Sequence, residues 1–134
     1  GLQGSAAPAA DLVILVDTSI WADHVVRPVA ELQQLLIDQQ VLVHPFVIGE
    51  LALGNLRNWQ KTVAMLNALP SAQVASHVDL LAFIPAANLS GSGVGFVDAH
   101  LLAACRLTRA TRLWTRDKRL ASKARELGVE WAPA

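Results

Sequence analysis

Leu12-Val13-Ile14-Leu15-Val16-Asp17 is the stretch that decides the fold class. The five apolar residues do not alternate with polar ones, and Val13, Ile14 and Val16 are β-branched. Such a run suits a strand covered on both faces, the central parallel strand of an α/β protein. It ends on a carboxylate, at the place where open α/β sheets put their ligands.

Outward from this strand, short strands alternate with helices, which makes the chain α/β. A short helix is expected over about Thr18 to Val26, and a second from Pro28 carries Leu32, Leu35 and Leu36. Val41-Leu42-Val43 reads as another strand. Pro45 opens a helix to about Gly54, Trp59 to Leu69 forms one stopped at Pro70, and His77 to Ala87 forms one interrupted by Pro85. After the flexible turn 90–95 comes the most apolar helix, about Phe96 to Thr108. A strand over Arg112 to Thr115, an amphipathic helix from Lys118 to Leu127 stopped by Gly128, and a terminal strand Val129-Glu130-Trp131 complete the pattern. Gly91, Gly93 and Gly95 lack the preceding strand and the third glycine spacing of a dinucleotide loop, so they read as a hinge allowing close approach.

The chain has 134 residues, 53% of them hydrophobic, with mean hydropathy +0.38, which suits one domain with a proper core over residues 11–134 and excludes a disordered chain. Residues 1–10, rich in Gly, Ala, Pro and Ser, read as an expression scar or a disordered lead and not as a secretory signal. One Cys excludes an internal disulfide framework or a Cys-cluster zinc site and fits a reducing, cytoplasmic compartment. No apolar run approaches the roughly 18 residues of a membrane span.

The formal charge is zero, with eleven cations and eleven anions, yet it is unevenly spread. Residues 1–97 hold three cations and seven anions, a balance of −4, and residues 98–134 hold eight cations and four anions, a balance of +4. All eight of those cations fall between Arg106 and Arg125, either a solvated helix face or a local field for a polyanion.

Four acids conflict with the burial pattern. Asp17 and Asp117 each follow a strand and precede a helix, so each is a helix cap or a strand-end functional group. Glu50 has Phe46, Val47, Leu53 and Gly54 as its helical neighbours and so is expected on an apolar face, with no cation within a turn. Asp98 shares its face with Val94, Leu101 and Leu102, although a first-turn Asp also suits the helix dipole. Were the four to converge, like charges about 4 Å apart would repel by roughly 4 kcal/mol per pair at an effective dielectric near 20. A divalent cation resolves that, and an all-oxygen set selects Mg²⁺ or Mn²⁺ over Zn²⁺. Such a site activates water for displacement at phosphorus, and the neighbouring cations are what a phosphodiester backbone needs.

Asp17-Thr18-Ser19-Ile20-Trp21, Glu50 within Pro45 to Leu51, Gly93-Val94-Gly95-Phe96-Val97-Asp98-Ala99-His100, and Leu113-Trp114-Thr115-Arg116-Asp117-Lys118-Arg119-Leu120 together resemble a PIN-domain nuclease, most closely the VapC toxins of bacterial toxin–antitoxin pairs. The resemblance covers about residues 11–131. It implies a three-layer α/β/α fold with a mainly parallel sheet, and a Mg²⁺-dependent endoribonuclease in which Mn²⁺ can substitute. It puts the acidic tetrad on Asp17, Glu50, Asp98 and Asp117, with Asp17 and Asp98 as core metal ligands and the other two ligating directly or through water. Ser19 and Thr115 are implied supporting residues, and Arg112, Arg116 and Lys118 are the expected RNA-backbone contacts. The implied partners are a structured RNA of the tRNA or rRNA class, an inhibitory VapB-type antitoxin and a second copy of the chain. His100 is expected to pack and not to ligate. Trp21, Trp59 and the helix from Pro28 are either core or a groove for a partner.

Other chemistries fit some of the same residues. A small-molecule phosphohydrolase with Asp17 as nucleophile is disfavoured by Ser19 standing where a second carboxylate belongs. A non-catalytic RNA-binding module, with the acids anchoring a structural cation, and a PIN-type ribonuclease outside any toxin–antitoxin pair stay open.

Overall fold

A computed structural model describes residues 11–134; the expectation for residues 1–10 lies outside them. In order, the elements are β1 (Val13–Val16), α1 (Thr18–Val26), α2 (Ala30–Ile37), β2 (Val41–Leu42), α3 (Pro45–Leu53), α4 (Trp59–Asn67), α5 (His77–Ala86), α6 (Phe96–Leu107), β3 (Thr111–Trp114) and α7 (Lys118–Glu126). The strands form a parallel sheet in the order β2-β1-β3, with Ile14 opposite Val41 and Arg112, and Val16 opposite Trp114.

Ile14, Leu15 and Val16 are all buried, so both faces of β1 are covered. Adjacent strand residues point to opposite sides, and only helices above and below the sheet can bury three in a row. This is the expected α/β/α architecture. α6 is buried on all sides from Ala99 through Cys105 and packs against β3 and α5. α7 buries only Leu120 and Ala124 and turns its charged residues outward. No described helix is long and apolar enough to cross a membrane.

The edges differ from expectation. The terminal strand over 129–131 shrinks to one parallel bridge between Leu113 and Glu130. Its entry is set by α7's end: Gly128, at φ +73, donates to Arg125 and Val129 donates to Ala124, and this αL turn delivers the chain beside β3. At the other edge Val43 leaves β2 to bridge Ser71, a pairing that no apolar pattern announces. The second helix begins at Ala30 and not at Pro28, with the Val29 amide held by His24 Nδ1 at 3.0 Å. Trp21 is fully buried and belongs to the core, while Trp59 is exposed and does not. Cys105 is buried, and its burial pushes the thiol up to about 12, which leaves it unreactive at neutral pH.

Candidate active site

Parallel strands bring their carboxyl ends to one edge, so the residues after β1 and β3 meet there. The Asp17 amide donates to the Trp114 carbonyl at 3.0 Å, extending the ladder one step beyond the strands. The Asp17 side chain is then fixed from three directions. Its Oδ1 accepts the Thr18 amide at 2.7 Å, capping α1, and its Oδ2 accepts hydroxyls from Ser19 at 3.1 Å and Thr115 at 2.6 Å. The choice between cap and site residue is therefore no choice: Asp17 caps a helix and stays buried at the edge of the cluster.

Thr115 also accepts the Asp117 amide at 3.0 Å, and Asp117 Oδ1 caps α7 through the Leu120 amide at 2.9 Å. Its Oδ2 is left for other partners. Glu50 reaches the same edge from α3, where its Oε1 accepts the Thr18 hydroxyl at 2.6 Å. Against expectation, Glu50 is exposed and not set on a buried face. α3 is apolar nearly all round, but only the Val47 and Leu51 stripe is buried; Phe46, Glu50 and Leu53 face outward. The helix that holds Glu50 is started by His44, whose Nδ1 accepts the Phe46 amide at 3.1 Å.

Asp98 completes the group from the first turn of α6. It is half-buried, and among the described residues it accepts no hydrogen bond from another side chain or amide. Burial, followed by the charges of Asp17, Asp117 and Glu50, pushes its carboxyl up to about 6. Asp17, Asp117 and Glu50 are thus all within electrostatic reach of Asp98. No described set of three or more His, Cys, Asp or Glu closes into a cage for an ion. The two observations are compatible, because charges couple across several ångströms whereas a Mg²⁺–oxygen bond is about 2.0–2.1 Å. An open, all-oxygen cluster with one unbonded carboxylate fits a hard cation that keeps several of its own waters.

The basic segment is divided by the fold. Arg106 and Arg109 lie before β3, at the amino edge of the sheet, and Arg112 is half-buried in mid-strand. Arg116 is ion-paired with Asp23. Lys123 pairs with Glu126, and Arg125 forms a two-bonded pair with Glu130. At the carboxyl edge Lys118 and Arg119 are exposed and outside every ion pair of the described residues.

His100 packs, as expected: it is buried, with ring centroids 4.7 Å from Phe46 and 5.0 Å from Phe96. Sequence reasoning missed three participants. Thr18 stands out in sequence only as the residue after Asp17 and His44 only as the residue before Pro45, and a hydroxyl or imidazole directly at a helix start was the available signal for both; Asp23, mid-helix in α1, carries no such signal.

This constellation at the carboxyl edge of a three-stranded parallel sheet has counterparts among known proteins. Residues 14–126 match the family model described as PIN domain, and the chain belongs to that family. Ribonuclease VapC32 of Mycobacterium tuberculosis, from strain CDC 1551 / Oshkosh and from strain ATCC 25618 / H37Rv, is 42% identical over 120 residues, spanning 90% of this chain and 97% of the relative, which places the chain with the VapC members. The crystal structure of PAE2754 from Pyrobaculum aerophilum superposes with a TM-score of 0.56 over 87% of each chain at 15% identity, a likeness of fold.

Proposed function

We propose that the chain is an endoribonuclease of the VapC toxin type, dependent on Mg²⁺ or Mn²⁺ and restrained by a VapB-type antitoxin. The observation that carries this reading is Asp98: a half-buried carboxylate without hydrogen bonds, its proton held more tightly by the charges of three other acids, with Lys118 and Arg119 exposed at the same edge of the sheet. The name of the VapC32 relatives, ribonuclease, supports the same reaction class.

Asp17 and Asp98 would hold the cation, and Glu50 and Asp117 would hold it directly or through its waters. When bound, the cation supplies charge neutralisation and an activated water for hydrolysis at phosphorus. The protein's own part is orientation. Ser19, Thr115 and the Thr18 amide leave Asp17 little freedom to turn, and Thr18 holds one oxygen of Glu50 so that Oε2 can accept a water proton. Structured RNA of the tRNA or rRNA class is the proposed substrate, and a bacterial, cytoplasmic homodimer the proposed working form.

Purified protein incubated with tRNA and with rRNA transcripts should cut one of them in Mn²⁺ or Mg²⁺ and not in EDTA, and Asp98→Asn should not cut. Cleavage that survives both EDTA and Asp98→Asn would exclude this site as its source.

A further inference from the structure

The glycine-rich turn before α6 and the first turn of α7 meet at a contact that neither the acids nor the ion pairs use. A methyl group built on Gly93 would stand 2.5 Å from Arg119 Nη1, 2.9 Å from its Cδ and 3.0 Å from its Cζ. The arginine therefore lies flat against the bare α-carbon of Gly93, whose φ of +86 also disfavours any larger residue. Two residues on, a methyl at Gly95 would be 3.9 Å from Asp98 Oδ2, and Asp117 is two residues before Arg119. The guanidinium is thus seated on the rim of the acidic cluster.

Nothing described in the protein answers its charge. Arg119 is exposed, makes no ion pair or hydrogen bond among the described residues, and stands in the first turn of a helix, the end that disfavours cations. Its neighbours Arg116, Lys123 and Arg125 are each committed to an acid.

We infer that Arg119, positioned by Gly93, is a phosphate-binding residue for the substrate backbone, holding the phosphate next to the scissile one. A planar guanidinium presents paired donors that match phosphate oxygens, and its seat against Gly93 fixes the plane before RNA arrives. Because the guanidinium is seated on Gly93 and not over the carboxylates, the phosphate next to the scissile one is its partner. This inference rests on the proposed ribonuclease reading. Gly93 acts through Arg119 and is a positioning residue.

The test uses the Asp98→Asn protein, which should bind without cutting, and a 5′-fluorescein single-stranded RNA oligonucleotide followed by anisotropy over about 50–200 mM salt. Arg119→Gln should weaken binding roughly three- to tenfold at the low end and reduce the log–log salt slope by about one. Arg119→Lys should restore the slope with only part of the affinity, since the charge returns without the fork. Gly93→Ala should weaken binding like Arg119→Gln, and the double variant should be no weaker than either single one. In the cutting-competent protein Arg119→Gln should raise KM by a similar factor with kcat within about twofold. An unchanged salt slope in Arg119→Gln overturns the inference, as do additive losses in the double variant. If Gly93→Ala fails to fold, the Gln and Lys pair decides alone. A parent protein that neither binds nor cuts RNA with Mn²⁺ overturns the ribonuclease reading and this inference together; an active parent indifferent to Arg119→Gln overturns the inference only.

Discussion

Thr115 Oγ1 stands 2.6 Å from Asp17 Oδ2 and joins two strand ends that are 98 residues apart in sequence. The one hydroxyl proton goes to Asp17, and the oxygen receives the Asp117 amide. Register makes the contact possible: Val16 lies opposite Trp114 in parallel strands, so the next residue on each chain emerges at the same edge. Two carboxylates are thereby spaced by a neutral group that binds both segments.

Thr115→Val removes this link while keeping the shape of the side chain. It should lower cleavage by about 10- to 100-fold, as for partners that orient a metal ligand, and cost on the order of 1–2 kcal/mol in stability. Thr115→Ser should recover most of both. Steady-state cleavage and urea unfolding on the same preparations would reveal whether the hydroxyl is needed.

Asp98→Asn should abolish activity and yet raise the melting temperature without metal. A carboxyl raised to about 6 binds its proton more tightly folded than unfolded, so its stabilising effect is complete below the unfolded value near 3.8 and is lost as pH rises through about 6. At pH 7 the ionised group opposes folding, by about 1–2 kcal/mol once solvent screening of a half-exposed group is allowed for. Calorimetry at pH 7 should place the variant a few degrees above the parent, and Mn²⁺ should narrow the gap by stabilising the parent alone.

His44 imposes an acid limit of a different kind. The ring is fully buried, and burial followed by the charge of His100 lowers its pKa to about 4. A depressed value means that stability is complete above the unfolded pKa near 6.5 and is lost as pH falls through about 4. Between pH 7 and pH 5 this group alone should cost about 2 kcal/mol. Asn at position 44 keeps a capping oxygen for the Phe46 amide and does not titrate, so His44→Asn should show a flatter urea-midpoint profile over that range. A profile as steep as the parent's would assign the acid loss to other groups.

Asp23→Asn should change stability by less than about 1 kcal/mol, because the Arg116 pair is exposed on both sides. Thermal melting checks this directly, and a larger loss would mean that the pair braces α1 against the segment after β3.

The central strand and the strand-end acids were legible because each rests on a local signal, an apolar run ended by a polar residue. Buried Ile14, Leu15 and Val16 and the Asp17 cap follow from that signal alone. The position of Glu50 was not legible. α3 is so uniformly apolar that spacing identifies no inner face, and the buried stripe is set by what α1 and α4 present to it. The edge pairings at Ser71 and Glu130 were equally hidden, each being a single bridge with no periodicity. The seat of Arg119 depends on two segments 26 positions apart meeting through the absence of a side chain at Gly93, which no spacing rule encodes. The run of eight cations looked continuous in sequence, but β3 carries it across the sheet and leaves only its later part beside the acids.

Whether Asp98 holds the catalytic cation is decided by Mn²⁺ binding and RNA cleavage measured on the same samples of the parent and Asp98→Asn proteins, by titration calorimetry and a timed gel assay. The parent should bind Mn²⁺ and cut RNA, and the variant should stay folded while losing most of the binding and all of the cleavage. An Asp98→Asn protein that still cuts RNA at the parent's Mn²⁺-dependent rate would contradict that role for Asp98.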